Sequence, residues 1–171
     1  MGKVCTYEDI YMSLDTFKSL VNAHRQDAYY LAGLTAVALC NFKVDTDRCI
    51  AMLNALRNPA EPMTDRDKNT LIERLTGKEY IPFSYFAGAI QFNNFTPREP
   101  YSILVKDNQY SFYSEGWAEL WLHSTGSPID RQVRLRMRPS TGAWYLTEQM
   151  LVQDITIVEE EKEEETEDPW G

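Results

Sequence analysis

Between Asp27 and Asn41 nearly every position is alanine, leucine or another small or apolar residue. A helix drawn through this stretch has no polar side, so it must be covered on all faces and sit at the centre of the fold. It is too short to cross a membrane. Its apolar run, Leu31 to Cys40, is broken by Gly33 and Thr35 and reaches about half of the ~20 residues a bilayer span needs. No membrane partner is therefore expected. The cover must come from the rest of the 171 residues, of which 43% are hydrophobic and 12% aromatic. That is enough apolar surface for one core without disulfides or metals.

The neighbouring segments carry helical stripes. Ser13 to Asn22 places Leu14, Phe17, Leu20 and Val21 on one face. Asp45 or Thr46 caps a third helix with Ile50, Leu53 and Leu56 inward, ended by Asn58 and Pro59. Thr64 with Asp67 resembles a capping box for a fourth, and Gly77 stands where a left-handed helix end belongs. From Lys78 to Pro100 the chain is aromatic and irregular, and it must pack down because exposing those rings is costly. Strand patterns follow at Tyr101–Lys106, Tyr110–Ser114, Trp117–His123, Arg131–Arg138 and Ala143–Thr147, with Leu151–Val158 expected to close the sheet. The predicted class is α+β: an N-terminal helical half, about 13–76, packed on a C-terminal antiparallel, curled sheet, about 101–158. Residues 1–158 form one domain, and 159–171 form an acidic C-terminal tail.

Charge is unevenly placed. Glu159 to Asp168 holds eight acids and one lysine, −7 of the formal −9, so the body carries only −2. Such a balance lacks the basic footprint that nucleic acid demands, and none is expected as partner. The first residues carry acids early and no apolar leader, which points to the cytoplasm. Cys5, Cys40 and Cys49 form no CxxC and read as reduced, buried thiols.

The strand Arg131–Arg138 alternates. Val133, Leu135 and Met137 point one way; Arg134, Arg136 and Arg138 point the other. Three guanidiniums on one face suit carboxylates or phosphates; the plainer reading is a solvated face whose arginines cover apolar surface or pair with acids on adjacent strands. Trp117, Glu119 and Trp121 share a face of mixed polarity, which suggests partial exposure. The acidic tail is the natural counterpart of the arginines. It ends Asp168, Pro169, Trp170, Gly171, and Trp170 reads as an anchor for a pocket on its own domain or on a partner. His123, Ser124 and Asp130 are close in sequence, but neighbours on a strand face opposite ways, and no GxSxG elbow is present. There is no metal-ligand spacing, P-loop or GxGxxG, and no cofactor is expected.

Taken together, Lys78 to Tyr85 (KEYIPFSY), Phe86 to Ala89, Asn93 to Pro97, Pro100 and Tyr101, the arginine strand, Gly142 to Tyr145, Glu148, Gln149 and the terminal Asp168, Pro169, Trp170 resemble an uncharacterised family of short bacterial proteins, a domain of unknown function. The loop Ser127 to Arg131 departs from that family's more polar form. The resemblance implies a bacterial, intracellular protein and brings no activity with it. The residues themselves point to a non-enzymatic binding or protein-interaction module. Its expected contacts are Arg134, Arg136, Arg138, Trp117, Trp121 and Trp170, with a protein partner or a homodimer formed through the tail. The alternative is a small-ligand protein or enzyme with a pocket between helices and sheet.

Overall fold

The computed structural model describes residues 2–152. The helices are α1 (Leu14–Ala23), α2 (Ala28–Cys40), α3 (Thr46–Leu56) and α4 (Asp65–Leu75). The strands are β1 (Gly2–Tyr7), β2 (Tyr101–Lys106), β3 (Trp117–Leu122), β4 (Arg131–Arg138) and β5 (Ala143–Gln149). They form one open antiparallel sheet in sequence order, β1 to β5. The helices lie on one face, as an α+β fold requires.

The caps follow the sequence. Ser13 accepts from Thr16 N, Asp27 from the amides of Tyr29 and Tyr30, and Asp45 from Arg48 N. Thr64 and Asp67 form a complete capping box at α4. Gly77 has φ +83°, the left-handed geometry expected beyond that helix.

Helix α2 is the centre of the fold. All its residues except Tyr29 and Tyr30 are buried, and it packs against all five strands and α3. Small side chains make this approach possible. At Gly33 an added Cβ would lie 2.0 Å from the Tyr7 hydroxyl, so the glycine gives β1 its seat on the helix. Tyr7 is only 2% exposed and donates through that hydroxyl to the Tyr30 carbonyl at 3.0 Å.

One strand expectation is corrected, and one strand is unexpected. Gly2–Tyr7, a segment with no clear strand pattern in sequence, pairs along its whole length with β2. Tyr110–Ser114, expected as a strand, forms turns instead. Asn108 accepts from Tyr110 N through its side chain, and Ser111 Oγ accepts from Asn108 N, so local polar groups bend the backbone there. β2 and β3 pair at just two positions, Val105 with Leu122 and Lys106 with Trp121. The bent segment wedges into the splay, where Glu119 N donates to Ser111 O. Leu151 and Val152 are buried; the closing strand expected beyond them, the acidic tail and Trp170 lie outside the described residues.

The β5 edge is sealed by two arginines. Arg25 donates to the carbonyls of Ala55, Leu56 and Trp144, and its own carbonyl accepts from Trp144 N. Arg57 donates to Thr147 O and Glu61 O. These bonds close the C-terminus of α3 and occupy backbone groups that an edge strand would otherwise offer to another chain.

Replacing Gly33 with alanine should destabilise the chain by about 1–3 kcal/mol, because Tyr7 is too buried to move aside. Urea unfolding checks this. In a Tyr7→Phe background the penalty should shrink, since the closest atom is gone; equal penalties in both backgrounds would show that the Tyr7 contact is not the cause.

Candidate functional site

The sheet face opposite the helices carries five of the six predicted binding residues, Trp117, Trp121, Arg134, Arg136 and Arg138. Register places Trp117 beside Arg136, Glu119 beside Arg134, and Trp121 beside Gln132. On the other side Tyr145 stands beside Arg136 and Glu148 beside Arg134. Val133 and Leu135 point inward and are fully buried, as the alternation requires.

The three arginines do not behave alike. Arg134 bridges two carboxylates, with Glu119 Oε2 and Glu148 Oε1 each at 3.2 Å. A bulge between Arg134 and Leu135 brings Glu148 into that register, and Thr147 Oγ1 donates to Arg134 O. Its charge is therefore already balanced. Arg136 and Arg138 are exposed and make no ion pair among the described residues. Each lies over a ring instead: Arg136 is 5.1 Å from the Trp117 centroid and Arg138 5.6 Å from Tyr145. Arg25 covers the same tyrosine at 4.3 Å. The rings hold the guanidiniums in place and leave their N–H forks open.

Beside this ledge the bent segment forms a shallow cleft of about 370 Å³, in which Tyr110 and Tyr113 face Trp117, Glu119 and Arg134. Trp121 is half-buried on the same face. Trp170 lies outside the described residues.

His123 and Asp130 do meet. His123 Nδ1 donates to Asp130 Oδ1 at 2.9 Å, and Lys106 Nζ to Oδ2 at 3.1 Å. Burial alone would raise the Asp130 carboxyl, but the hydrogen bonds from His123 and Lys106, with their charge, hold it below its ordinary value. Ser124 points away from the pair. Its hydroxyl is buried, 2.6 Å from Ser84 Oγ, and accepts from Gly126 N. No Ser-His-Asp relay is assembled.

Among the described residues no group of three or more His, Cys, Asp or Glu side chains is placed to hold a metal ion, and no helix is long and apolar enough to cross a membrane. The three cysteines are buried and unpaired in disulfides. Burial pushes the Cys5 thiol up to about 11 and the Cys49 thiol up to about 12, and raises Cys40 further from reactivity.

A second concavity of about 530 Å³, not evident from the sequence, lies at the start of β2. Tyr11, Tyr80, Phe83, Phe95 and Tyr101 wall it. The aromatic density of 80–86 signalled packing; that the rings also leave a cleft depends on Tyr11 and Phe95 arriving from separate loops.

A family model described as "Domain of unknown function (DUF6935)" matches residues 10–159. The chain belongs to this family. No curated protein and no solved structure matches it. The DUF6935 segment contains α1–α4, β2–β5, the arginine ledge and most of the aromatic cleft. β1 lies before the matched segment, and Trp170 lies after it.

Two outcomes test this arrangement. Native chain should resist iodoacetamide at pH 8 while the urea-unfolded chain is alkylated at all three cysteines; rapid native labelling would contradict the burial. Asp130→Asn should cost about 1 kcal/mol at pH 7. A depressed carboxyl stabilises the fold above its unfolded value of about 3.9 and loses that contribution as pH falls through the folded value. Urea titrations should therefore show a flatter acid limb for Asp130→Asn than for the native chain; superimposable limbs would refute the assignment.

Proposed function

We propose that the chain is a non-enzymatic binding module whose Arg136–Arg138 ledge takes a carboxylate-rich protein segment. The occupant is the acidic C-terminal segment, Glu159 to Asp168, of a second copy, with Trp170 as its apolar anchor. The carrying observation is the pair of exposed guanidiniums, held on Trp117 and Tyr145 without ion-pair partners among the described residues, beside an Arg134 already balanced by two acids. Eight acids in one segment of the same chain supply the complementary charge. A stacked guanidinium loses less freedom on binding than a solvated one, so the ledge is prepared for carboxylates. Arg134 orients its neighbours rather than contacting the segment. The bacterial cytoplasm is the setting that accompanies this reading.

The test compares the intact chain with Arg136→Glu/Arg138→Glu by sedimentation and by hydrogen exchange over residues 153–171. The native chain should be a dimer at low salt that dissociates as salt rises. The double variant should be monomeric, with exchange in that segment faster by about tenfold, equivalent to about 1.4 kcal/mol. A native monomer whose segment exchanges faster in the variant would place the contact within one chain and overturn the exchange between copies. Unchanged mass and unchanged exchange would reject the ledge altogether.

A further inference from the structure

We infer that the aromatic cleft at the start of β2 is a binding site for a small organic cation, an ammonium or guanidinium group carried on an apolar body. The cleft is independent of the arginine ledge and rests on different observations.

Its walls are rings presented at several angles. Phe83 and Phe95 form the floor and are 8% and 5% exposed. Tyr11 stands 6.2 Å from Phe83, tilted by 59°, and Tyr80 stacks on Phe95 at 5.6 Å. Ring faces carry partial negative charge, and surfaces of this kind attract cations within about 6 Å. The chain already provides one example: Lys43 Nζ sits 5.7 Å from the Phe83 centroid.

The charges around the cleft favour the same sign of ligand. Asp9 and Glu79 line it against the single cation Lys43. Asp9 makes no hydrogen bond or ion pair among the described residues, while one Glu79 oxygen accepts from Gly77 N. Glu99 adds a third carboxylate, accepting from the Tyr101 hydroxyl at 3.0 Å. That hydroxyl is raised first by this hydrogen bond, then by burial, then by the charges of Glu99 and Asp9, as a locally negative field requires. An anion would meet the rings and the carboxylates together, with one exposed lysine to offset them.

The rim is fixed in advance. Asn94 and Phe95 both take left-handed backbone angles, φ 57° and 54°, a conformation unfavourable for a phenylalanine. Asn93 holds the loop there: its side chain accepts from the amides of Ile90 and Thr96 and donates to Gly88 O. Strain maintained by surrounding bonds is a feature of pre-organised sites, and a rigid rim lowers the cost of binding. The volume of about 530 Å³ falls within the range of small-molecule sites.

The experiment is calorimetry on the full chain with three probes of matched shape: phenethylammonium, phenethyl alcohol and hydrocinnamate. The cation should bind about tenfold more tightly than the alcohol, and hydrocinnamate should bind weakest. Tyr11 and Asp9 are exposed, so Tyr11→Ala and Asp9→Asn should fold normally and each weaken the cation about fivefold. Lys43→Met should strengthen it by removing the internal competitor. Nα-acetylarginine amide as a fourth probe, whose only cation is the guanidinium, separates a peptide side chain from a free amine; binding of either upholds the site. Equal affinity for alcohol and cation, preference for hydrocinnamate, or no cation binding by both the native chain and Lys43→Met would overturn the inference. Indifference of cation affinity to both Tyr11→Ala and Asp9→Asn would also overturn it.

Discussion

The contact of α2 with the sheet governs the rest of this structure. An almost wholly buried helix has no polar face with which to choose an orientation, so its position is set by shape. Gly33 supplies that shape. It lets the Tyr7 ring lie against the helix and lets its hydroxyl reach Tyr30 O in the first turn of α2. β1 is thereby held at the start of the chain, ready to receive β2 after four helices have intervened. The long separation between β1 and β2 is an entropic cost of loop closure, and it grows only slowly with length. It is offset by an unbroken six-position register and by the burial of Cys5, Tyr7, Ile103 and Val105 on the inner face.

A sheet placed on one side of a helical layer has two edges and one uncovered face to manage. At β5 the management is explicit, because Arg25 and Arg57, which follow the ends of α1 and α3, bond to edge carbonyls of the strand. Arg25 also fastens the end of α3, where carbonyls lack partners within the helix. Its burial lowers the guanidinium from its ordinary value, yet arginine remains charged under any condition in which this chain folds. Lysine would offer one point charge to three divergent carbonyls, so the fork geometry is what the joint uses.

The helices were legible because their signals are local. The caps at Asp45 and Thr64, the stripes of α1, α3 and α4, and the apolar run of α2 each lie within one segment; the structure adds caps at Ser13 and Asp27. The sheet was less so. β1 is short, its residues 2 to 4 and 6 are exposed, and its inward set is little more than Cys5 and Tyr7, so its alternation carries little weight without β2 beside it. Tyr110–Ser114 alternates like a strand, but Asn108 and Ser111 supply side-chain bonds that turn it, and the wedge it forms depends on the splay of β2 from β3. The arginine face was legible as alternation. The difference between Arg134 and its two neighbours was not, because it depends on a bulge that sets Glu148 opposite Arg134. The aromatic cleft needs tertiary structure for the same reason: Tyr11, Phe83, Phe95 and Tyr101 come from four separate stretches.

That bulge has a consequence for recognition. With Arg134 tied on both sides, the centre of the face holds one guanidinium between two carboxylates, a net negative and geometrically fixed arrangement. Such exposed pairs contribute little to stability, about 1 kcal/mol or less each. On the proposed reading their stronger effect is on specificity. A segment that approached Arg134 would have to displace two carboxylates of like charge to its own, a repulsive element that steers it toward Arg136 and Arg138. Those two face outward from rings that cannot compete for their hydrogen bonds. The face therefore distinguishes positions that carry the same side chain, and it does so through the register of β4 with its neighbours rather than through composition.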